Sequence, residues 1–247
     1  HILSTKLISF GQRYHESTMF TEIVILFALV KTILMMYLMK VLEILPQKIF
    51  KFKCDPDLIK KSLINLEDED WKDHEEWQIS QSTDVRLNKN PKYSDLYKWI
   101  KKCLMEVKNE LNFKCTRLEI TQSWANTSQK GQSMWSHAHP NSFVSGILYL
   151  TNSNASTFFS MDSIWTNYYQ NASQTLQLKT TDHDDLLVTH KQQTVQGDLI
   201  IFPSNLVHMV DNHDIGDYDR YTISFNSFPA GVIGDMSNLS GLVIEVF

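Results

Sequence analysis

Two histidines lie two residues apart at the head of an apolar run, in the stretch Trp135-Ser-His-Ala-His-Pro-Asn-Ser-Phe-Val-Ser-Gly-Ile-Leu-Tyr149. Side chains two residues apart in an extended strand point to the same face, so His137 and His139 can converge on one ion. Their spacing therefore indicates a metal site. A His-x-His pair also arises by chance, and the alternative here is a solvated loop that precedes a core strand.

Two further stretches carry candidate functional residues. His208 follows the run Gly-Asp-Leu-Ile-Ile-Phe-Pro, which has the composition of a buried strand. Arg220 opens the apolar stretch Arg-Tyr-Thr-Ile-Ser-Phe-Asn, and alternation places Arg220, Thr222 and Ser224 on one face of a strand. If that face lines an interior, the guanidinium of Arg220 requires an anionic partner. The alternative is an ion pair between Arg220 and a neighbouring aspartate at the surface.

The segments that would position these residues are helices first and strands afterwards. Asp55-Pro56 is a helix start, a second helix is predicted from Ser94 to Leu111, and the polar stretch after Trp71 is predicted to be a loop. Extended segments are then predicted at 117–124, 143–150, 157–161, 193–202, 207–210 and 221–228. This order predicts a mainly β protein with flanking helices (α+β), in which the helices pack on a β-sandwich or a jelly-roll barrel.

Composition narrows the classes of function. The 247 residues include 43% hydrophobic and 21% charged residues, which is typical of a globular domain. The formal net charge is −5 and no basic tract recurs, so we expect a small-molecule or peptide substrate and no nucleic acid. The cysteines number three, Cys54, Cys103 and Cys115, which argues against a disulfide framework and favours a reducing, cytoplasmic location.

The first part of the chain allows several interpretations. Residues 19–45 are the most apolar segment, but Lys31 lies near their centre, where a charge is unfavourable in a bilayer. We therefore expect residues 1–38 to be an apolar extension, either upstream sequence or a helix, and residues 39–247 to be the functional domain, with 39–50 as its opening strand. A membrane association is expected only if residues 19–45 form a real anchor.

Three motifs occur in a fixed order along the domain: His-x-His-Pro-Asn-Ser with the strand after it, Gly-Asp-Leu-Ile-Ile-Phe-Pro-Ser-x-Leu-x-His, and Arg-Tyr-Thr-Ile-Ser-Phe-Asn. Together they resemble the 2-oxoglutarate and Fe(II)-dependent oxygenases of marine bacteria and their phages, over about residues 39–246. The resemblance implies a double-stranded β-helix (jelly-roll) core, here residues 117–228 behind a helical front end at 55–111. It also implies one ferrous ion, with 2-oxoglutarate and O2 as cosubstrates.

The resemblance assigns roles residue by residue. His137 and His208 match the two histidines that hold the iron, and Arg220 matches the residue that binds the far carboxylate of 2-oxoglutarate. Tyr149 matches a position that often assists this binding, and Ser224 shares the face of Arg220. A set of two histidines and one carboxylate leaves three iron positions open, and an arginine fork suits a carboxylate.

One position departs from the family pattern, because His139 occupies the place of the usual carboxylate ligand. Three interpretations remain open. His139 is itself a ligand, which strand alternation favours. Alternatively, a carboxylate from elsewhere, such as Asp162, completes the set. In the third interpretation the iron keeps two protein ligands, as in related halogenases.

The sequence thus predicts an oxygenase that hydroxylates a substrate and releases succinate and CO2, with His137, His139 and His208 as metal-binding, catalytic residues. Arg220, Tyr149 and Ser224 are predicted to bind the cosubstrate. One rival is a three-histidine, cupin-type dioxygenase that needs no keto acid. Another is a jelly-roll binding protein without catalysis.

Overall fold

The computed structural model describes residues 47–74, 79–160, 189–212, 219–238 and 240–246. Two helices within these ranges begin and end close to the predicted positions. Helix α1, Pro56–Leu66, is capped by Asp55, whose carboxylate accepts a hydrogen bond of 2.8 Å from the N–H of Asp57. Helix α2 is Ser94–Glu110. Its apolar side is buried, which its helical period predicts.

The described residues form twelve strands. In chain order these are β1 (Phe50–Lys53), β2 (Trp71–His74), β3 (Ile79–Ser82), β4 (Cys115–Ser128), β5 (Met134–His137), β6 (Val144–Tyr149), β7 (Ser156–Ser160), β8 (Thr189–Gln193), β9 (Asp198–Pro203), β10 (Val207–Val210), β11 (Arg220–Ile233) and β12 (Leu242–Ile244).

The strands make two antiparallel sheets. The larger sheet has the order β1-β9-β6-β11-β4-β3-β2, with β12 paired to β11, and the smaller sheet has the order β5-β10-β7-β8. From β4 to β11 the chain passes back and forth between the two sheets, except that the consecutive strands β7 and β8 pair with each other in the smaller sheet. This arrangement confirms the predicted mainly β fold with two flanking helices and a jelly-roll core.

Two apolar clusters lie on opposite faces of the larger sheet. The inner cluster, between the sheets, joins Ile147, Tyr149, Ile200 and Phe202 of the larger sheet to Phe159 of the smaller one. The outer cluster packs the apolar side of α2 and α1 against the sheet, and its buried members from the strands are Cys115, Leu118, Ile120, Ala125, Val144, Leu148, Leu199, Ile201, Ile223 and Phe225. The inner face therefore encloses the interior of the barrel, while the outer face holds the helices.

A close approach between β6 and β11 requires a glycine. Gly146 and Phe225 are paired across the two strands, and a Cβ atom at Gly146 would overlap the ring of Phe225. The absent side chain makes room for a fully buried phenylalanine on the outer face.

The structure corrects two predicted boundaries. The stretch after Trp71 is not a loop, because β2 and β3 pair as antiparallel strands at the edge of the larger sheet. The predicted strand 193–202 is two strands, since the chain turns at Gly197, whose φ is +84°. A positive φ is accessible to glycine without a steric penalty.

The core strands also extend beyond the predicted limits of 117 and 228, to Cys115 and Ile233. Of the predicted opening strand at 39–50, residues 39–46 lie outside the described residues, residues 47–49 are not in a strand, and β1 begins at Phe50. The extension 1–38 and the apolar segment 19–45 lie outside the described residues. None of the helices within the described ranges is long and apolar enough to cross a membrane.

Candidate metal centre

Three histidines meet at one end of the barrel interior. His137 ends β5 and His208 is the second residue of β10, and these two residues are direct partners across the strands. His139 follows β5 by two residues. The ligand atoms of His137, His139 and His208 all lie within 4.8 Å of one another. The strand pairing and the loop after β5 thus bring together all three of the predicted metal-binding residues.

The rings have different relative orientations. The rings of His139 and His208 are nearly parallel, with an interplanar angle of 8° and centroids 5.0 Å apart. The ring of His137 lies 4.3 Å from that of His208 and 5.3 Å from that of His139. The Nε2 atoms of His139 and His208 are 3.2 Å apart. Since two facing lone pairs repel, these nitrogens must share either a proton or a cation.

Backbone carbonyls fix the tautomers of two of the histidines. Nδ1 of His137 lies 2.8 Å from the carbonyl oxygen of Trp135, and Nδ1 of His208 lies 3.0 Å from that of Leu206. A carbonyl only accepts hydrogen bonds, so each Nδ1 donates its proton and each Nε2 carries the lone pair of the ring. Metal-binding histidines in proteins are commonly oriented in this way.

Burial keeps all three imidazoles neutral at neutral pH. Burial lowers the pKa of His137, although its hydrogen bond to Trp135 opposes the shift. Burial, followed by the nearby His137, lowers the pKa of His139 to about 4 and that of His208 to about 3. Neutral imidazole is the form that binds a metal ion.

His139 reaches the site by a different route from the predicted one. Strand β5 ends at His137, so strand alternation does not place His139. Its backbone N–H donates a 2.9 Å hydrogen bond to the carbonyl of Ser204, in the turn between β9 and β10. Its ring lies beside Trp124 of β4, at 5.9 Å between centroids. The convergence with His137 therefore depends on a tertiary contact that the local sequence does not reveal.

Arg220 lies on the inner face of the larger sheet. It is 7% exposed, and its Nε atom has no hydrogen-bond partner. Among the described residues, no carboxylate lies within ion-pair distance of its guanidinium, so the alternative surface pair with Asp219 does not form, and Asp217 lies outside the described residues. The guanidinium carbon lies 5.5 Å from the centre of the Tyr149 ring. A buried guanidinium with an unpaired nitrogen is unfavourable unless an anion binds there.

Tyr149 and Ser224 share the inner face with Arg220. Tyr149 is paired with Thr222 across β6 and β11, and its hydroxyl lies 2.6 Å from Oγ1 of Thr157 in the smaller sheet. Ser224 accepts a hydrogen bond of 3.2 Å from the side-chain amide of Asn126. Both predicted residues therefore line the interior, and their hydroxyl groups are already hydrogen-bonded within the protein.

Asn126 is a lining residue that the sequence did not single out. It is buried on β4, opposite Thr222, and its side-chain oxygen has no hydrogen-bond partner. The sequence Trp-Ala-Asn-Thr gives no signal for this position beyond strand alternation from Trp124. The inner face thus presents two buried, unsatisfied polar atoms, Nε of Arg220 and Oδ1 of Asn126.

The histidines and Arg220 face the same interior. Phe202 belongs to the inner cluster with Tyr149, and its ring lies 4.7 Å from that of His208. Phe159 of the same cluster lies 5.9 Å from His208. Residues of this cluster thus contact both parts of the interior, because Phe202 and Phe159 lie beside His208 and Tyr149 lies beside Arg220. Asp162, the alternative carboxylate ligand, lies outside the described residues.

Comparison of sequences finds one family match. The family described as "Putative 2OG-Fe(II) oxygenase" matches residues 122–226, which run from β4 through all three histidines to β11. No curated protein sequence matches the chain.

Solved structures provide an independent comparison. HygX from Streptomyces hygroscopicus, solved with nickel and 2-oxoglutarate bound, is 12% identical, with a TM-score of 0.56 over 81% of this chain and 92% of that chain. A prolyl-4-hydroxylase from Pseudomonas putida is 12% identical, with a TM-score of 0.51 over 75% of this chain and 94% of that chain. The chain has the fold of these oxygenases.

A third structure has the same fold and a different activity. SnoN, a non-heme alpha ketoglutarate dependent epimerase from nogalamycin biosynthesis, is 8% identical, with a TM-score of 0.55 over 81% of this chain and 86% of that chain. Because all three identities are low, the likeness establishes the architecture alone. The chemistry must be inferred from the residues of the site.

Proposed function

We propose that the protein is an Fe(II)- and 2-oxoglutarate-dependent oxygenase. One observation supports this proposal most directly: three neutral imidazoles converge in the same interior that buries an arginine with no anionic partner among the described residues. The first feature suits a divalent metal ion and the second suits a carboxylate. A cosubstrate that chelates a metal through one end and carries a carboxylate at the other satisfies both.

The donor set fits a ferrous ion. His137, His139 and His208 would hold it through three neutral nitrogens, which leaves further positions for the keto acid and dioxygen. When bound, the iron supplies the activation of dioxygen that the side chains of a protein cannot provide. The carbonyls of Trp135 and Leu206 keep two of the donors in the metal-binding tautomer before the ion arrives.

The polar wall fits the cosubstrate. Arg220 would donate hydrogen bonds to the far carboxylate of 2-oxoglutarate, which would supply the missing counter-charge. The Tyr149 ring holds the guanidinium from one side, and Ser224 offers a hydroxyl on the same face. The surrounding apolar residues of the inner cluster exclude water, which strengthens the interaction between the charges.

The reaction that we propose is hydroxylation. Dioxygen would convert 2-oxoglutarate to succinate and CO2, and the second oxygen atom would enter a C–H bond of the primary substrate. The relatives support a small-molecule or peptide substrate, since one HygX structure contains hygromycin B and another relative is a prolyl hydroxylase. The three free cysteines are consistent with a cytoplasmic location. As part of the same proposal, the protein would be related to the oxygenases of marine bacteria and their phages.

A keto-acid-independent dioxygenase is the second candidate, because the donor set consists of three histidines without a carboxylate. Such an enzyme binds no keto-acid carboxylate that would supply a counter-charge to the buried guanidinium of Arg220. The two candidates therefore differ in whether turnover depends on 2-oxoglutarate and on Arg220.

The test uses the full chain with Fe(II). Under anaerobic conditions, addition of 2-oxoglutarate should produce a weak visible charge-transfer band, and admission of air should release succinate even without primary substrate. Arg220→Ala should abolish the band at moderate 2-oxoglutarate concentration. Turnover of a substrate that is independent of both 2-oxoglutarate and Arg220 would instead establish the keto-acid-independent candidate. Absence of the band and of succinate would leave a binding protein without catalysis.

A further inference from the structure

A single turn contacts two of the three histidines. Residues 204–206, which we call the β9–β10 turn, present two carbonyl groups to the metal centre. The carbonyl oxygen of Ser204 accepts a hydrogen bond of 2.9 Å from the backbone N–H of His139. The carbonyl oxygen of Leu206 accepts one of 3.0 Å from Nδ1–H of His208. The relative position of these two imidazoles therefore depends on the conformation of three residues.

The side chain of Ser204 ties this turn to the loop that follows His139. Its hydroxyl is fully buried and donates a 2.7 Å hydrogen bond to Oγ of Ser142. The same hydroxyl lies 2.8 Å from Oγ of Ser145, which donates to Oδ1 of Asn226 on β11 at 2.9 Å. The backbone N–H of Ser204 also donates to the carbonyl of Phe143 at 3.2 Å. Ser204 thus links the turn, the histidine loop and the larger sheet.

We propose that Ser204 is a positioning residue of the metal centre. Its hydroxyl carries no charge and does not contact the imidazoles, so it acts by fixing the turn whose carbonyls orient His139 and His208. Groups that hydrogen-bond to the ligands typically change metal affinity by about 10–100-fold, and the Ser204 hydroxyl acts through two such groups, the carbonyls of Ser204 and Leu206. This inference rests on the three-histidine metal centre of the proposed function.

A purely structural role for Ser204 predicts a different result. A buried hydroxyl contributes to stability wherever it is hydrogen-bonded, and its removal then lowers stability without changing the affinity for a metal. Ser227 provides the matched control, because it is also fully buried and its hydroxyl donates to the carbonyl of Val144 at 2.6 Å. The Ser227 hydroxyl belongs to the β6–β11 pair and contacts neither the β9–β10 turn nor a histidine.

The experiment compares Ser204→Ala and Ser227→Ala in the full chain by two measurements. Zn²⁺ affinity is measured by competition with a chelating dye, and the visible spectrum of bound Co²⁺ reports the ligand geometry. We expect Ser204→Ala to weaken Zn²⁺ binding by about 10–100-fold and to change the Co²⁺ spectrum. We expect Ser227→Ala to change Zn²⁺ affinity by less than about twofold, while thermal unfolding shows a comparable loss of stability in both variants.

Two results would overturn the inference: wild-type Zn²⁺ affinity in Ser204→Ala, or equal weakening in Ser227→Ala. If Ser204→Ala does not fold, Ser142→Ala replaces it, because that hydroxyl is only half-buried and is the acceptor of the same hydrogen bond. The wild-type protein separates this inference from the proposed function. If the wild type binds neither ion, the metal centre itself is wrong. If it binds both and Ser204→Ala binds them equally well, only the positioning role fails.

Discussion

The two faces of β11 show how one strand serves two purposes. Its outer face carries Ile223 and Phe225, which are fully buried against the helices. Its inner face carries Arg220, Thr222 and Ser224, which are nearly as buried but polar. Adjacent residues of β11 thus alternate between apolar and polar side chains. Because they share one backbone, this difference in polarity must reflect what each face contacts. The outer face packs mainly against the apolar side chains of the outer cluster, whereas the inner face carries Nε of Arg220, which has no hydrogen-bond partner among the described residues.

The contrast separates stability from binding. Apolar burial stabilises a fold by about 25 cal/mol per Å² of surface removed from water. An unpaired buried guanidinium destabilises it. Substitutions on the outer face should therefore lower stability and leave binding unaltered, whereas substitutions on the inner face and at the metal centre should weaken binding without lowering stability. Four substitutions test this separation.

His208→Ala should have the largest effect on binding. His208 is buried between His137 and His139, and its loss removes one of three donors. We expect Zn²⁺ or Co²⁺ affinity to fall by at least about 100-fold, because the loss of a ligand should exceed the effect of losing a group that only hydrogen-bonds to a ligand. Succinate release should disappear. His190→Ala is the control, since His190 is exposed on β8. Unchanged metal affinity in His208→Ala would contradict the metal centre.

Phe225→Ala should have the largest effect on stability. The ring is fully buried on the outer face, so we expect a loss of about 3–5 kcal/mol in the free energy of unfolding. Urea titration measures this loss, and binding of 2-oxoglutarate to the folded variant at low temperature should remain at the wild-type level. A comparable loss of cosubstrate affinity would show that the two faces are coupled.

Arg220→Met should change stability and binding in opposite directions. Methionine keeps part of the apolar stem but removes the buried charge, so we expect the metal-free and ligand-free protein to become more stable by about 1 kcal/mol. We expect 2-oxoglutarate affinity to fall by about 10–100-fold, since hydrogen bonds to a charged group contribute about 1.5–3 kcal/mol. Thermal unfolding with and without 2-oxoglutarate measures both effects. A less stable variant with normal affinity would assign Arg220 to the fold alone.

Asp198→Asn should have the smallest effect, because its charge is paired. Asp198 is buried beside Lys51 and Lys53, at 2.8 and 3.2 Å, and accepts the N–H of Val195 at 2.9 Å. Burial raises the pKa of Asp198, but these partners, Lys51 first, outweigh it, so that the pKa is lowered. Since both lysines are about half exposed, we expect a loss of only about 1 kcal/mol at pH 7.

The pH dependence follows from the sign of this shift. A carboxylate with a lowered pKa stabilises the fold above the pKa of the unfolded state, about 3.9, and this contribution is lost as the pH falls through the lowered value. Urea midpoints of wild type and Asp198→Asn should therefore differ at pH 7, begin to approach each other below about pH 4, and coincide only below the lowered pKa. Asp68→Asn, at an exposed surface pair with Lys92, should show no measurable difference at either pH. A gap that persists in acid would indicate that packing, and not charge, stabilises this position.

The sequence was most informative where local rules decide the structure. The Asp55 cap, the apolar side of α2 and the buried run at β9 follow from capping and periodicity, and the structure contains all three. The β2–β3 hairpin was missed because Trp-Lys-Asp-His and Ile-Ser-Gln-Ser lack the apolar alternation of a half-buried strand. Strand β3 joins the sheet by backbone pairing with β4, which is a long-range contact, and β2 pairs with β3.

The candidate site shows the same limit. Motif spacing brought His137, His208 and Arg220 to attention, but the placement of His139 depends on Ser204, 65 positions further along the chain, through one backbone hydrogen bond. Asn126 was missed because nothing in its neighbours marks a buried amide without a partner. Contacts between distant segments are what a single sequence reveals least well.

Gly146 and Phe225 illustrate a constraint that extends beyond this one chain. Because a Cβ atom at position 146 would overlap the ring at position 225, the two positions cannot enlarge independently. We expect Gly146→Ala alone to lower stability by about 1–3 kcal/mol, and Gly146→Ala with Phe225→Leu to recover part of that loss. In related chains we therefore expect the sizes of these two side chains to vary together. A glycine should face a phenylalanine, and an alanine should face a smaller residue.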